Sequence, residues 1–166
     1  LIKSFEEFTP KIDETCFVAE SSDIIGNVII GKDSNVWYNT VLRGDVNKIV
    51  VGEKTNIQDG TIIHVEKSIP TIIGNNVTIG HKAIVHACTL SDNVLVGMGA
   101  IILNGAIIEE NVLIGAGSVV TPGKTIPSGH LALGSPARVI RKLTDEEIND
   151  LQKSADNYVS LSKKHK

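Results

Sequence analysis

The sequence predicts an all-β solenoid, a triangular parallel β-helix followed by one C-terminal helix, and three observations carry that prediction. Aliphatic residues recur at six-residue spacing: Ile30, Val36 and Leu42, then Val51, Ile57 and Ile63, then Ile73, Ile79 and Val85, then Leu90, Val96, Ile102, Ile108, Ile114 and Val120. Four positions after each, a small or β-branched residue returns, from Ser34, Thr40 and Val46 to Ala106, Val112 and Ser118, with Lys67 and Lys124 as the exceptions. Aromatics are only 4% of the 166 residues while 42% are apolar, so aliphatic chains rather than large rings must fill the core. Short strands joined by turns, each hexad one side and three hexads one coil, satisfy all three conditions. A sandwich or a βαβ domain would need longer strands or intervening helices.

The elements follow in chain order. Residues 1–24, with Pro10, read as an irregular lead-in that pairs onto or covers the first coil. Within the repeat, Gly follows the aliphatic residue at Gly31, Gly52, Gly74, Gly80, Gly97 and Gly115, and Asn or Asp punctuates the corners. Two intervals are too long, nine residues from Leu42 to Val51 and ten from Ile63 to Ile73, and the extra residues read as corner loops. Pro122, Pro127 and Pro136 mark the end of the solenoid after Val120. Thr144 and Glu147 form a capping box, and Ile148, Leu151, Ala155 and Tyr158 or Val159 continue at helical spacing to about Ser162. The chain thus divides into a β-helix over 1–142 and a helical segment over 143–166 that packs on it, one domain overall.

Charge and cysteine usage narrow the partners. A net charge of −3 and a pI near 5.9, without a long Lys/Arg block, argue against nucleic acid or an anionic membrane and leave a small-molecule substrate. Lys163 to Lys166 read as a solvated end. Cys16 and Cys88 show no CxxC spacing, and neither a signal peptide nor 18 consecutive apolar residues is present, so a reducing cytosol is the expected location.

Three of the five histidines, His64, His81 and His86, fall between Ile57 and Thr89. With three hexads per coil, Leu42, Ile63 and Val85 share one side of the prism, and Val36, Ile57 and Ile79 share the side before it. His64 and His86 each follow an inward aliphatic residue, so they point outward and stack one strand spacing apart, about 4.8 Å. That brings their rings close enough to share a zinc ion, which holds His nitrogens at about 2.0–2.1 Å. His81 lies two positions after Ile79 on the preceding side, and outward vectors from two sides of a triangle diverge. A neighbouring copy must bring His81 to His64 and His86, and three prisms around a threefold axis are the simplest closed ring, a homotrimer. Arg43 occupies the His64 column one coil earlier, and Asp59 the His81 column. The two should therefore face each other between copies, with Gln58 beside Asp59 and pointing outward.

The run VLRGDVNKIVVGEKTNIQDGTIIHV followed by IGHKAIVHACT resembles the γ-class carbonic anhydrase family, and the likeness extends from about Ile12 to the terminal helix. The resemblance implies a left-handed β-helix in a homotrimer. It implies zinc, or iron or cobalt, held by His64, His81 and His86 across subunit interfaces. It also implies that Arg43, Asp45, Gln58 and Asp59 form the intersubunit ion pair and line the metal-bound water, and that Tyr158 reaches the site. Two departures assign the chain to the subgroup lacking an acidic loop, in which anhydrase activity is weak, redox- or metal-dependent, or undetected. Val46 stands where the best-studied members carry Glu, filling an inward slot, and the short VEKSIPT offers only Glu66 as a proton carrier. The chemistry implied is hydration of carbon dioxide by zinc hydroxide, the metal lowering the pKa of its water from 15.7 toward about 7. Three other functions stand beside it: a hexapeptide-repeat acyltransferase, whose C-terminal element GSPAR at Gly134–Arg138 resembles; a metal-dependent acyl-CoA thioesterase; and an inactive scaffold trimer. Cys88, two residues past His86, reads as a small packed residue with soft ligation or oxidation as the alternatives, and His130 and His165 as surface residues.

Overall fold

A computed structural model describes residues 1–166 as a left-handed parallel β-helix of about seven turns with one C-terminal helix. Twenty strands, most of two or three residues, wind into three sides. One side, the helix side, is an eight-stranded sheet that includes Asn35–Val36, Asn56–Ile57, Thr78–Ile79, Leu95–Val96 and Leu113–Ile114. The histidine side carries Ile62–His64, Ile84–His86, Ile101–Ile102 and Val119–Val120, and the third side carries Thr71–Ile73, Thr89–Leu90, Ile107–Ile108 and Thr125–Ile126. The last two sides are continuous, because Asp23–Ile30 and Val41–Val51 each run through the edge between them.

The hexad accounts for the core. Leu42, Ile57, Ile63, Ile79, Val85, Leu90, Val96, Ile102, Ile108 and Ile114 are wholly buried in one apolar cluster. Small inward residues fill the corners, and the hydroxyls among them are satisfied: Ser34 Oγ donates to Gly52 O at 2.8 Å and Thr55 Oγ1 to Gly74 O at 2.8 Å. The recurrent glycines answer to space. A Cβ on Gly97 would lie 2.5 Å from the Ala116 nitrogen of the next coil, and one on Gly52 would lie 2.6 Å from the Gly74 carbonyl carbon. Asn and Asp at the corners take the left-handed backbone they tolerate best, at Asp33, Asn39, Asn76, Asn93 and Asn111.

Four sequence expectations need correction. Residues 42–51 are no corner loop but a continuous strand, with a register shift where Gly26 and Val28 of the neighbouring strand meet it. Val46 therefore leaves the hexad and is 53% exposed, not inward. The lead-in is itself a coil: Ile2–Lys3 and Lys11–Ile12 pair with Asp23–Ile30, and Phe17–Val18 pairs with Asn35–Val36. The solenoid also continues beyond Val120, since Thr125–Ile126 and His130–Gly134 extend their sheets and Ile126 and Ala132 keep the six-residue spacing, fully buried. Pro127 does not interrupt it because Thr125–Ile126 is an edge strand, where a missing N–H breaks no ladder. The residues Gly134–Arg138 form the turn into an antiparallel strand, Ala137–Lys142.

The helix, Asp145–Ser162, begins at the expected capping box, with Thr144 Oγ1 accepting from Glu147 N at 3.2 Å and Glu147 accepting from Thr144 N at 2.9 Å. Leu151, Ala155 and Ser162 are buried, and the helix lies on Asn35–Val36, Asn56–Ile57 and Thr78–Ile79. No helix is long and apolar enough to cross a membrane. Hydrogen bonds from Arg141 and from the Thr144 amide hold the Glu147 carboxyl at about 2, against an ordinary 4.5. A depressed carboxyl contributes stability in full above its ordinary value and loses it as pH falls toward 2. The pair is open to solvent, so the effect is small. Helix content followed by circular dichroism during heating should show a lower midpoint at pH 2.5 than at pH 5, and Glu147→Gln should flatten that difference.

Candidate metal centre

His64 and His86 stand opposite each other, the last residues of paired strands in which Ile63 meets Val85. Ile63 and Val85 are wholly buried, so the residue after each projects outward. The two rings lie 5.1 Å apart at their centres, tilted by 52°, with His64 Nδ1 3.1 Å from His86 Nε2.

The other nitrogen of each ring is committed. His64 Nε2–H donates to Asp45 Oδ1 at 3.0 Å, and His86 Nδ1–H donates to Asn104 Oδ1 at 2.7 Å. A carboxylate only accepts, and the Asn104 amide is turned by donating from Nδ2 to Glu66 Oε2 at 3.3 Å. In neutral rings the two nitrogens that face each other therefore both present lone pairs. Lone pairs 3.1 Å apart repel unless a cation lies between them. Two nitrogens held at 2.0–2.1 Å by one tetrahedral zinc ion are about 3.3 Å apart, so the donor set and its spacing fit a metal.

Charged neighbours brace this arrangement. Arg43 forms an ion pair with Asp45, both projecting from one face of the same strand. Burial alone would raise the Asp45 carboxyl, but hydrogen bonds from His64 and Arg43, with the Arg43 charge, outweigh it and hold the group below the usual carboxylate range. Within the chain Arg43 thus faces Asp45, while Asp59 is engaged by His81.

His81 follows Thr78–Ile79 on the helix side, away from the other two. Its Nδ1 lies 2.9 Å from Asp59 Oδ2. No three His, Cys, Asp or Glu side chains of one chain are grouped to hold a metal. A cleft of about 370 Å³ beside His81 is lined by Gln58, Met98, Ser154 and Tyr158. Gln58 points out of the prism as expected, but the helix covers it to 6% exposure, and its Nε2 donates to Asn56 Oδ1 at 3.0 Å. Burial, and then the Asp59 charge, raise the Tyr158 hydroxyl above its ordinary value, and its ring packs edge-on against Trp37 at 5.6 Å.

Glu66 stands in a tight turn closed by reciprocal backbone bonds with Ile69 at 3.0 and 3.1 Å, and Asn47 Nδ2 donates to the carbonyls of Glu66 and Lys67. Cys88 is a packed core residue, 1% exposed, whose thiol burial pushes up to about 12, so it is poorly suited to bind a metal. His165 packs against Trp37, Phe17 and Tyr38, and His130 Nδ1–H donates to Ser128 O at 2.8 Å. The residue that sequence reasoning missed is Asn104. The repeat contained its signal, since Ile102 lies one coil beyond Val85 and Asn104 follows two residues later, at the corner over His86.

Comparisons with known proteins give the repeat family and a set of relatives. Residues 87–122 match the family model described as bacterial transferase hexapeptide, six repeats. The chain is 53% identical to a probable carbonic anhydrase of Methanocaldococcus jannaschii, over 91% of this chain and 95% of that protein. It is 50% identical to gamma carbonic anhydrase 2, mitochondrial, of Arabidopsis thaliana over 95% of its own length, and spans 59% of that longer protein. A crystal structure of a hexapeptide transferase family protein from Anaplasma phagocytophilum superposes with a TM-score of 0.97 at 49% identity, covering 100% of this chain and 98% of that one. Identity of this order over nearly the whole of a relative's length, on the same solenoid, shows that the chain belongs to the γ-class carbonic anhydrase family.

Proposed function

We propose that the chain is a metal-dependent carbonic anhydrase-like lyase that interconverts carbon dioxide and bicarbonate at sites shared between the copies of a homotrimer. The observation that carries this reading is the facing pair of ring nitrogens, His64 Nδ1 and His86 Nε2, 3.1 Å apart, with the other nitrogen of each ring committed. The names of the relatives support the reaction. His81 supports the sharing, because it follows Thr78–Ile79 on a different side of the prism and completes a three-histidine set only from another copy. Ile62 and Ile84, beside the two histidines, are 46% and 36% exposed, as a face awaiting a neighbour would be. Two free thiols, Cys16 and Cys88, suit a reducing compartment such as the cytosol.

Zinc, or iron or cobalt, held by His64, His81 and His86, supplies when bound the positive charge that acidifies a water. The chain's residues do the rest. Asp45 fixes the ring of His64, Asp59 lies beside that of His81, and Arg43 holds Asp45 in place. Tyr158 stays protonated at neutral pH and serves as a hydrogen-bond donor in the cleft, with the buried Gln58 amide as a second polar handle. Glu66, exposed at the rim and within reach of Asn104, is the one carboxylate of the short turn that can pass a proton outward. With no longer acidic loop to help, buffer should carry much of that proton flux.

The test is stopped-flow carbon dioxide hydration by anaerobically prepared, metal-loaded protein beside a chelated sample. The expected rate disappears on chelation and rises with buffer concentration, more steeply in Glu66→Ala than in the parent. A rate no higher than the chelated control, at verified metal occupancy and across buffers, would sink the assignment.

A further inference from the structure

We infer that Asn104, held by Glu66, is a positioning residue that locks His86 in the tautomer with its proton on Nδ1, so that Nε2 is presented to a divalent metal. This rests on the metal-binding reading of His86 given above and extends it to two residues that bind no metal. The chain of contacts has one direction. The Glu66 carboxylate can only accept, so it draws the amide nitrogen of Asn104 to within 3.3 Å. That turns the amide oxygen toward His86 Nδ1 at 2.7 Å, where it must be met by an N–H. A neutral imidazole carries one proton, so Nε2 is left with its lone pair.

A purely backbone role for Asn104 does not account for it. Asn is common at these corners because it tolerates a left-handed backbone, but here the left-handed residue is its neighbour Gly105, at φ 70°. The Asn104 side chain is half-buried and spent on His86 and Glu66. Glu66 is itself held in place. The Glu66–Ile69 backbone bonds close its turn, Asn47 Nδ2 braces two of the turn's carbonyls, and Thr71 Oγ1 donates to His64 O at 2.6 Å. The short turn that stands in place of a long acidic loop thus has a second use, aiming the amide that aims the histidine.

Two measurements test this on the full chain. In the metal-free protein, long-range ¹H–¹⁵N correlation spectra of the His86 ring should show the Nδ1–H tautomer, with a shift toward Nε2–H or a mixture in Asn104→Ala and a smaller shift in Glu66→Ala. Cobalt(II) titration against a competing chelator should show affinity lowered about 10- to 100-fold in Asn104→Ala, the usual cost of losing such a partner. Asn104→Asp combined with Glu66→Gln, which keeps an acceptor facing Nδ1 and a donor to hold it, should restore affinity to within a few-fold of the parent. An unchanged tautomer and an unchanged affinity in Asn104→Ala would overturn the inference, as would failure of the Asn104→Asp, Glu66→Gln pair to restore affinity in a folded chain. Failure of the parent chain to bind cobalt would instead overturn the metal reading, and the ring spectra would still decide the role of Asn104.

Discussion

His81→Ala and His86→Ala should each lose metal-dependent hydration by more than the roughly 100-fold that removing a supporting partner costs, and a mixture of the two should recover part of it. The recovery is the informative part. In a ring of three, each site draws His64 and His86 from one copy and His81 from the next. Any ring containing both variants therefore has one interface at which a His81→Ala copy offers His64 and His86 to the intact His81 of a His86→Ala copy. Random mixing makes about three rings in four mixed, each with one of its three sites whole, so the refolded or co-expressed mixture should show about a quarter of the parent activity per chain. Activity at the level of the separate variants, with mixed rings demonstrated by mass spectrometry, would exclude a shared site.

Ile79→Ala should destabilise the chain by about 2–5 kcal/mol. Ile79 is wholly buried, stacked between Ile57 and Val96 in the middle of the helix side. Its neighbours are tied into ladders above and below and cannot close over the space left behind. In a solenoid each coil is stabilised mainly by the two beside it, so a void at this depth weakens both halves. Urea unfolding followed by circular dichroism should show the midpoint falling with the slope unchanged. Val46→Ala provides the contrast. It occupies a formally equivalent slot of the repeat to Val112, yet Val46 is 53% exposed and Val112 is wholly buried, so its replacement should change stability by no more than about 0.5 kcal/mol. A large loss at Val46 together with a small one at Ile79 would contradict the observed register.

The contrast between these two valines shows how far the sequence could be read. A six-residue period repeated along the chain fixes which face each residue takes, which is why the opposition of His64 and His86, the divergence of His81 and the capping box at Thr144 were all legible. The period says nothing where it lapses. Between Leu42 and Val51 the choice between a loop and a strand rests on pairing with Asp23–Ile30, a partner whose own contribution is visible only in three dimensions. Pro127 misled for a related reason, because a proline ends a strand only when its N–H has a partner to lose. The Arg43–Asp45 ion pair and the Asn104 amide depend on side-chain reach across coils. Register arithmetic brings such residues near one another without choosing among their contacts.

All three irregular intervals, from Leu42 to Val51, from Ile63 to Ile73 and from Val85 to Leu90, cross the same edge of the prism, the one between the histidine side and the third side. The other two edges are lined by Gly31, Gly52 and Gly74, and by Gly80, Gly97 and Gly115, packed against the coil above with no room for a Cβ. At the corresponding place on the irregular edge, directly after Leu42, Ile63, Val85 and Ile102, stand Arg43, His64, His86 and Leu103, so the edge takes full side chains there. Along two edges the six-residue spacing holds in every coil, whereas at the third the interval runs from five residues to ten, so that edge is where coils of this chain differ in length. It runs past His64 and His86, so the surroundings of the histidines vary from coil to coil while the solenoid that carries them keeps one spacing elsewhere.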